Sequence, residues 1–230
     1  MRFPNAAKGV KKIFTAEILK LISYICLIAA ALFVIGVIAS TNIDQIESDD
    51  IASVLSGLPA GVIGGFFGAI GLAFICGILQ AVAFIMNLFG SIKARHDDEN
   101  FKTALFFLIV SVVFAIASVF VMSNGFGSIL YSLATLSDTL ATIFVIAGGV
   151  RLADQLNRGD ISKKGTNVLK LIIVIEAISF VTGFITAFLR GSASMVAAII
   201  LFMATLILSF VKYIMYLSFL SKTKKMLNES

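Results

Sequence analysis

Six long apolar runs, separated by short polar segments, organise this chain. They lie at about 18–40, 60–90, 102–123, 127–150, 168–190 and 194–220. An α-helix needs ~20 apolar residues to cross a bilayer, and it satisfies its backbone internally while doing so. The pattern therefore predicts an all-α polytopic membrane protein, a bundle of six transmembrane helices. The second run exceeds that length, so its helix tilts or projects. It has no charge from Leu58 to Gly90 and repeats small residues every fourth position, at Gly57, Gly61, Gly65, Ala69, Ala73, Gly77 and Ala81. Each four-residue step drifts ~40° around a helix, so six steps carry the ridge through roughly 240°. Small residues let helices approach closely where lipid supplies no hydrophobic drive. The second helix is thus expected at the centre of the bundle, with a close crossing at Gly61, Gly64, Gly65 and Gly68.

The polar connections alternate in charge. The first, Thr41 to Pro59, holds Asp44, Glu47, Asp49 and Asp50 and no Lys or Arg; Ser48-Asp-Asp-Ile within it reads either as a helix start or as part of a disordered acidic loop. The second, Ser91 to Phe101, holds Lys93, Arg95, His96, Asp97, Asp98 and Glu99. The third is an SNGFG turn beginning at Ser123, and the fifth is little more than Arg190-Gly-Ser. The fourth carries Arg151, Arg158, Lys163 and Lys164, and the C-terminal tail Lys222, Lys224 and Lys225. Lys and Arg thus gather on the even-numbered connections and both termini, with Arg190 the exception. The positive-inside rule then places both termini in the cytoplasm of a multi-pass cell-membrane protein.

Two short outer turns and two longer basic inner loops suggest three helical hairpins in series. Lys20, Lys102 and Lys170 head the odd-numbered runs in similar contexts (EILKLI, ENFKTAL, NVLKLI). Snorkelling at any helix entry is the plainer explanation of these lysines, and a triplicated hairpin the sharper but weaker one. Residues 1–17 read as a cytoplasmic amphipathic segment. Ala6, Val10, Ile13, Phe14 and Glu17 fall at helical spacing opposite Lys8, Lys11 and Lys12, which predicts a short helix in the membrane interface. No small-residue cleavage site follows, and the first apolar run is longer than a signal-peptide core, so it is read as a retained span. The domains are then 1–17, a six-helix region over 18–220 and a basic tail over 221–230.

Composition agrees with lipid as the solvent. Of 230 residues, 59% are hydrophobic and 13% charged, against about 25% charged in soluble domains. The net charge of +5 lies in the loops, where it sets topology and attracts anionic headgroups; it calls for no nucleic acid. Cys26 and Cys76 sit inside apolar runs and His96 in a loop, which provides neither a disulfide nor a metal cluster. No cofactor motif is present.

Candidate chemistry lies where charge falls inside a span, since such residues face protein or water and mark function by default. Asp138 is ~18 Å from either end of the fourth run and shares an arc with Ser128, Tyr131, Ser132, Thr135, Thr139 and Thr142. Glu176 in the fifth run shares an arc with Ser179, Gly183 and Thr186; Lys212 in the sixth shares one with Ser194, Thr205, Ser209 and Tyr216. Both are ~12 Å from the basic side, a match that suggests an ion pair. Catalytic patterns are missing: no His lies in a span, and there is no HExxH and no Walker loop. Arg158-Gly-Asp160 is an adhesion-like tripeptide on the wrong side of the predicted topology. The sequence supports two main readings. One is a solute- or ion-handling membrane component with Asp138, Glu176, Lys212, Thr135, Tyr131 and Tyr216 along its pathway. The other is an accessory or scaffold membrane protein whose polar residues only join helices, to each other or to other membrane proteins. A membrane enzyme is the weakest reading.

Overall fold

A computed structural model describes residues 2–40, 60–121, 126–188 and 192–229, with the side chains of 33–40, 60–67, 180–188, 192–203 and 205–206 outside the description. The described residues form six helices and no strand: α1 (Pro4–Ser40), α2 (Ala60–Ala94), α3 (Glu99–Phe120), α4 (Phe126–Gln155), α5 (Gly159–Phe188) and α6 (Ser192–Glu229). Among the described residues, four stretches are long and apolar enough to cross a membrane: Pro4–Leu32, Gly68–Ala94, Glu99–Phe120 and Phe126–Gln155. The coarse architecture is that of a helical membrane protein. The Ser48 helix start, Arg190 and most of the SNGFG turn lie outside the described residues.

The helices run past the apolar segments that predict them. α1 starts at Pro4 and continues to Ser40 without a break at residue 17, so the first 17 residues are not a separate short helix. On its early turns Ala6, Val10 and Ile13 are buried among protein side chains. At the other end α6 stays helical through the tail, because Phe219, Leu220, Thr223, Met226 and Leu227 recur on one face and are buried.

The chain divides into two compact units, Met1–Phe14 with Leu88–Ser230, and Thr15–Asn87. In the first, α3 packs along α4, and α4, α5 and α6 pack on one another. Its core gathers the start of α1, the start of α3, the end of α4, the start of α5 and the end of α6. Glycines on α4 and α5 seat aromatic rings there. A Cβ on Gly148 would meet the Phe101 ring at 2.7 Å; one on Gly149 would meet Phe219 at 2.9 Å, and one on Gly165 would meet the same ring at 2.6 Å. A larger residue at any of these three positions would force the neighbouring side chain to move. The Phe107 and Phe144 rings stack at 5.6 Å between centroids. Farther along α3, Phe106, Ile109, Val113, Ile116 and Phe120 are exposed, a face suited to lipid.

Two turns in this unit are made by short polar residues. Asn157 takes φ 55°, the left-handed region that Asn tolerates. The Arg158 amide donates to Ala153 O at 2.8 Å and the Asn157 amide to Asp154 O at 3.0 Å. This Schellman turn closes α4 and lets α5 start at once. Asp98 caps α3, accepting from the Asn100 amide at 2.8 Å. α1 and α2 meet closely in this unit as well: a Cβ on Gly9 would lie 2.5 Å from Gly90 O.

In the second unit α1 and α2 run antiparallel. Ser23 Oγ donates to Cys76 O at 3.1 Å and Asn87 Nδ2 to Glu17 Oε1 at 3.1 Å. Ala16, Ser23 and Ala30 are buried, as are Ala69, Cys76 and Ala83. Both sets recur every seventh residue, the spacing of a narrow coiled-coil seam. With Ser23 opposite Cys76, this register sets Ala30 against Ala69 and Ala16 against Ala83. The seam therefore follows a seven-residue repeat rather than the wrapped four-residue ridge of the sequence reading. Among the described residues, a Cβ at Gly68, Gly71 or Gly77 would meet no atom within 4 Å. The side-chain environments of Gly61, Gly64 and Gly65 lie outside the description.

Candidate functional site

α4 has two unlike faces. Ala134, Ser137, Ala141, Val145, Gly148 and Gly149 are buried in the bundle. Ser128, Tyr131, Ser132, Thr135 and Asp138 lie on the exposed side, with Tyr131 65% exposed. The hydroxyls of this stripe donate to their own helix: Ser132 Oγ to Ser128 O at 2.9 Å, Thr135 Oγ1 to Tyr131 O at 3.1 Å and Thr142 Oγ1 to Asp138 O at 3.1 Å. With each proton so engaged, the hydroxyl oxygens keep only acceptor capacity. The result is a ladder of oxygen acceptors centred on a carboxyl group. Among the described residues Asp138 has no ion-pair partner.

Glu176 and Lys212 close on each other. Lys212 Nζ donates to Glu176 Oε1 at 2.6 Å between α5 and α6, as the matching depths predict. Tyr216, one turn beyond Lys212, is buried in the core. Of the six predicted pathway residues, Tyr131, Thr135 and Asp138 thus share one exposed face, Glu176 and Lys212 form a pair, and Tyr216 packs. Lys212 takes Glu176, not Asp138, as its partner.

A second polar cluster joins the basic connections. Asp97 Oδ2 accepts from the Ala6 amide at 2.7 Å and Oδ1 from Asn5 Nδ2 at 3.1 Å, so the α2–α3 loop caps α1 with a negative charge at its positive end. Asp98, besides capping α3, pairs with Arg151 at 3.5 Å. Arg2 donates to Gln155 O at 3.2 Å, at the carbonyl end of α4. Lys164 donates to Ser218 Oγ at 2.6 Å. Burial, with a smaller contribution from the charge of Lys222, holds its pKa below the ordinary value of 10.5. Asp98 before an apolar run is a readable cap signal. The role of Asp97 has no local signal, because its partner is at the other end of the first half of the chain.

Glu17 is buried, 3% exposed, and joins Lys20 at 3.2 Å as well as Asn87. The Glu17–Lys20 spacing of three residues is legible in sequence; Asn87 as the third member is not. Asn87 Oδ1 is buried with no hydrogen-bond partner among the described residues. No group of metal-binding side chains is found among the described residues. Compared with protein-family models, curated proteins and solved structures, the chain matches none.

Proposed function

We propose that the chain is a six-span integral membrane protein, with both termini cytoplasmic, that handles a small cation or cationic solute along the acceptor face of α4. The carrying observation is the ladder of Ser132, Thr135 and Thr142, whose hydroxyl protons are engaged by the helix and whose oxygens flank Asp138. Oxygen donors suit hard cations. A carboxyl group at ~18 Å depth is unfavourable against lipid, so protein or water faces it. Asp138 supplies the charge, Thr135 and Tyr131 line the approach, and the Glu176–Lys212 pair serves the fold.

One observation favours a second reading. The stripe is on an exposed face, open to a neighbour. The same acceptors would fit a donor-bearing helix of another membrane protein, which makes the chain an accessory component. Thr135→Cys in a variant lacking Cys26 and Cys76 decides between them. In the cation reading a membrane-impermeant thiol reagent labels residue 135, and Asp138→Asn abolishes cation uptake by proteoliposomes while leaving thermal stability intact. Protection from the reagent together with unchanged uptake in Asp138→Asn overturns it in favour of the accessory reading. Cysteine at Lys163 tests orientation: labelling from outside intact cells overturns the cytoplasmic termini.

A further inference from the structure

A cleft of ≈ 200 Å³ opens between the start of α5 and the end of α6, lined by Arg158, Asp160, Ile161, Lys222, Lys225, Met226 and Glu229. We propose that it binds the phosphate of an anionic lipid headgroup. Three cations surround a floor made by Ile161 and Met226, both buried. The two acids are each matched by a neighbour: Arg158 Nε is 3.4 Å from Asp160 Oδ1, and Lys225 Nζ is 3.9 Å from Glu229 Oε1. Both pairs are exposed and contribute little, so a phosphate displaces them readily. Lys222 makes no ion pair among the described residues. Its charge is felt as far as Lys164, whose pKa is lowered mainly by burial and in smaller part by Lys222.

Depth selects lipid as the source of that phosphate. Lys222 and Lys225 stand two and five residues past the apolar run that ends at Leu220, about 3 and 7.5 Å along the helix. The headgroup layer is about 5–7 Å thick on each side of a bilayer. Basic pockets between spans at this level suit anionic headgroups. The inference rests on α6 crossing the membrane up to Leu220 but not on Asp138.

The test is native mass spectrometry of the full chain in neutral detergent, with dioctanoyl-phosphatidylglycerol and dioctanoyl-phosphatidylcholine as probes. Preferential retention of the anionic phosphatidylglycerol is expected, falling roughly thirtyfold in Lys222→Gln/Lys225→Gln. Asp160→Asn/Glu229→Gln, which frees the cations, should tighten it and serves as the deciding variant if the lysine variant does not fold. Equal retention of the two lipids, or unchanged affinity in the acidic-residue variant, overturns the proposal. Displacement by inorganic phosphate alone assigns the cleft to a soluble phosphate and overturns the lipid source. The assay does not involve the α4 face, so failure here leaves the cation reading standing, and failure of uptake leaves this site standing.

Discussion

Lys212 Nζ and Glu176 Oε1 stand 2.6 Å apart, each charge answering the other between α5 and α6. Breaking a fully buried pair by removing one partner costs about 3–5 kcal/mol, because a charge is left alone. These side chains are 24% and 35% exposed, so Lys212→Met should cost about 1–3 kcal/mol. Glu176→Gln/Lys212→Met should recover most of that loss. A double-mutant cycle of unfolding in detergent checks it; strictly additive losses would mean the pair is not coupled.

Gly9 and Gly68 make a paired comparison. A Cβ on Gly9 would press on the Gly90 carbonyl at 2.5 Å, and backbone cannot yield as a side-chain tip can. Gly9→Ala is expected to lower stability by about 1–3 kcal/mol, the range for overpacking. Gly68→Ala meets open space and should be neutral or stabilising by up to about 1 kcal/mol through helix propensity. Melting temperatures of the two variants in the same detergent should therefore move in opposite directions, or only the first should move.

Phe219 fills the space left by two glycines on different helices. Phe219→Ala removes a fully buried ring and should cost about 3–5 kcal/mol. Gly149→Ala and Gly165→Ala each force the ring to shift and should also destabilise. Hydrogen exchange of α4, α5 and α6 would show whether the three loosen together; a loss confined to α6 would contradict the shared seat.

Lys164 provides a pH signature. Its folded pKa is below the ordinary 10.5, so near neutrality it is charged in both states and the folded state bears the penalty. As pH rises through the lowered value, the folded protein releases the proton first and stability is gained until the ordinary value is passed. Relative to Lys164→Gln, the wild type should grow more stable as the pH is raised towards the ordinary value of 10.5. Thermal unfolding across that range gives the difference, and a downward slope would refute the assignment.

Helix existence was readable because the apolar runs are long and nearly uncharged, and the Glu176–Lys212 pair was readable because depth along a helix is simple arithmetic. The helix limits were not. An apolar run ends where lipid ends, whereas α6 ends where protein contact ends, and Thr223, Met226 and Leu227 keep it helical beyond Leu220. For α2, small residues every fourth position mark where approach is permitted, while the buried set among the described residues, Ala69, Cys76 and Ala83, follows a seven-residue register that depends on the partner helix. For α4 the polar stripe was legible as a pattern. That its hydroxyls bond backward, leaving acceptors outward, depends on side-chain rotamers that spacing does not encode.

The clasp between Asp97 and Ala6 has a consequence for biogenesis. The opening turn of α1 is closed by a side chain that lies 91 residues further along the chain and is therefore synthesised after it. Until that residue is made, the start of α1 has open amides and an unanswered helix dipole. The start of α1 is thus completed only when the α2–α3 loop is in place, so the two ends of this hairpin become ordered as one event.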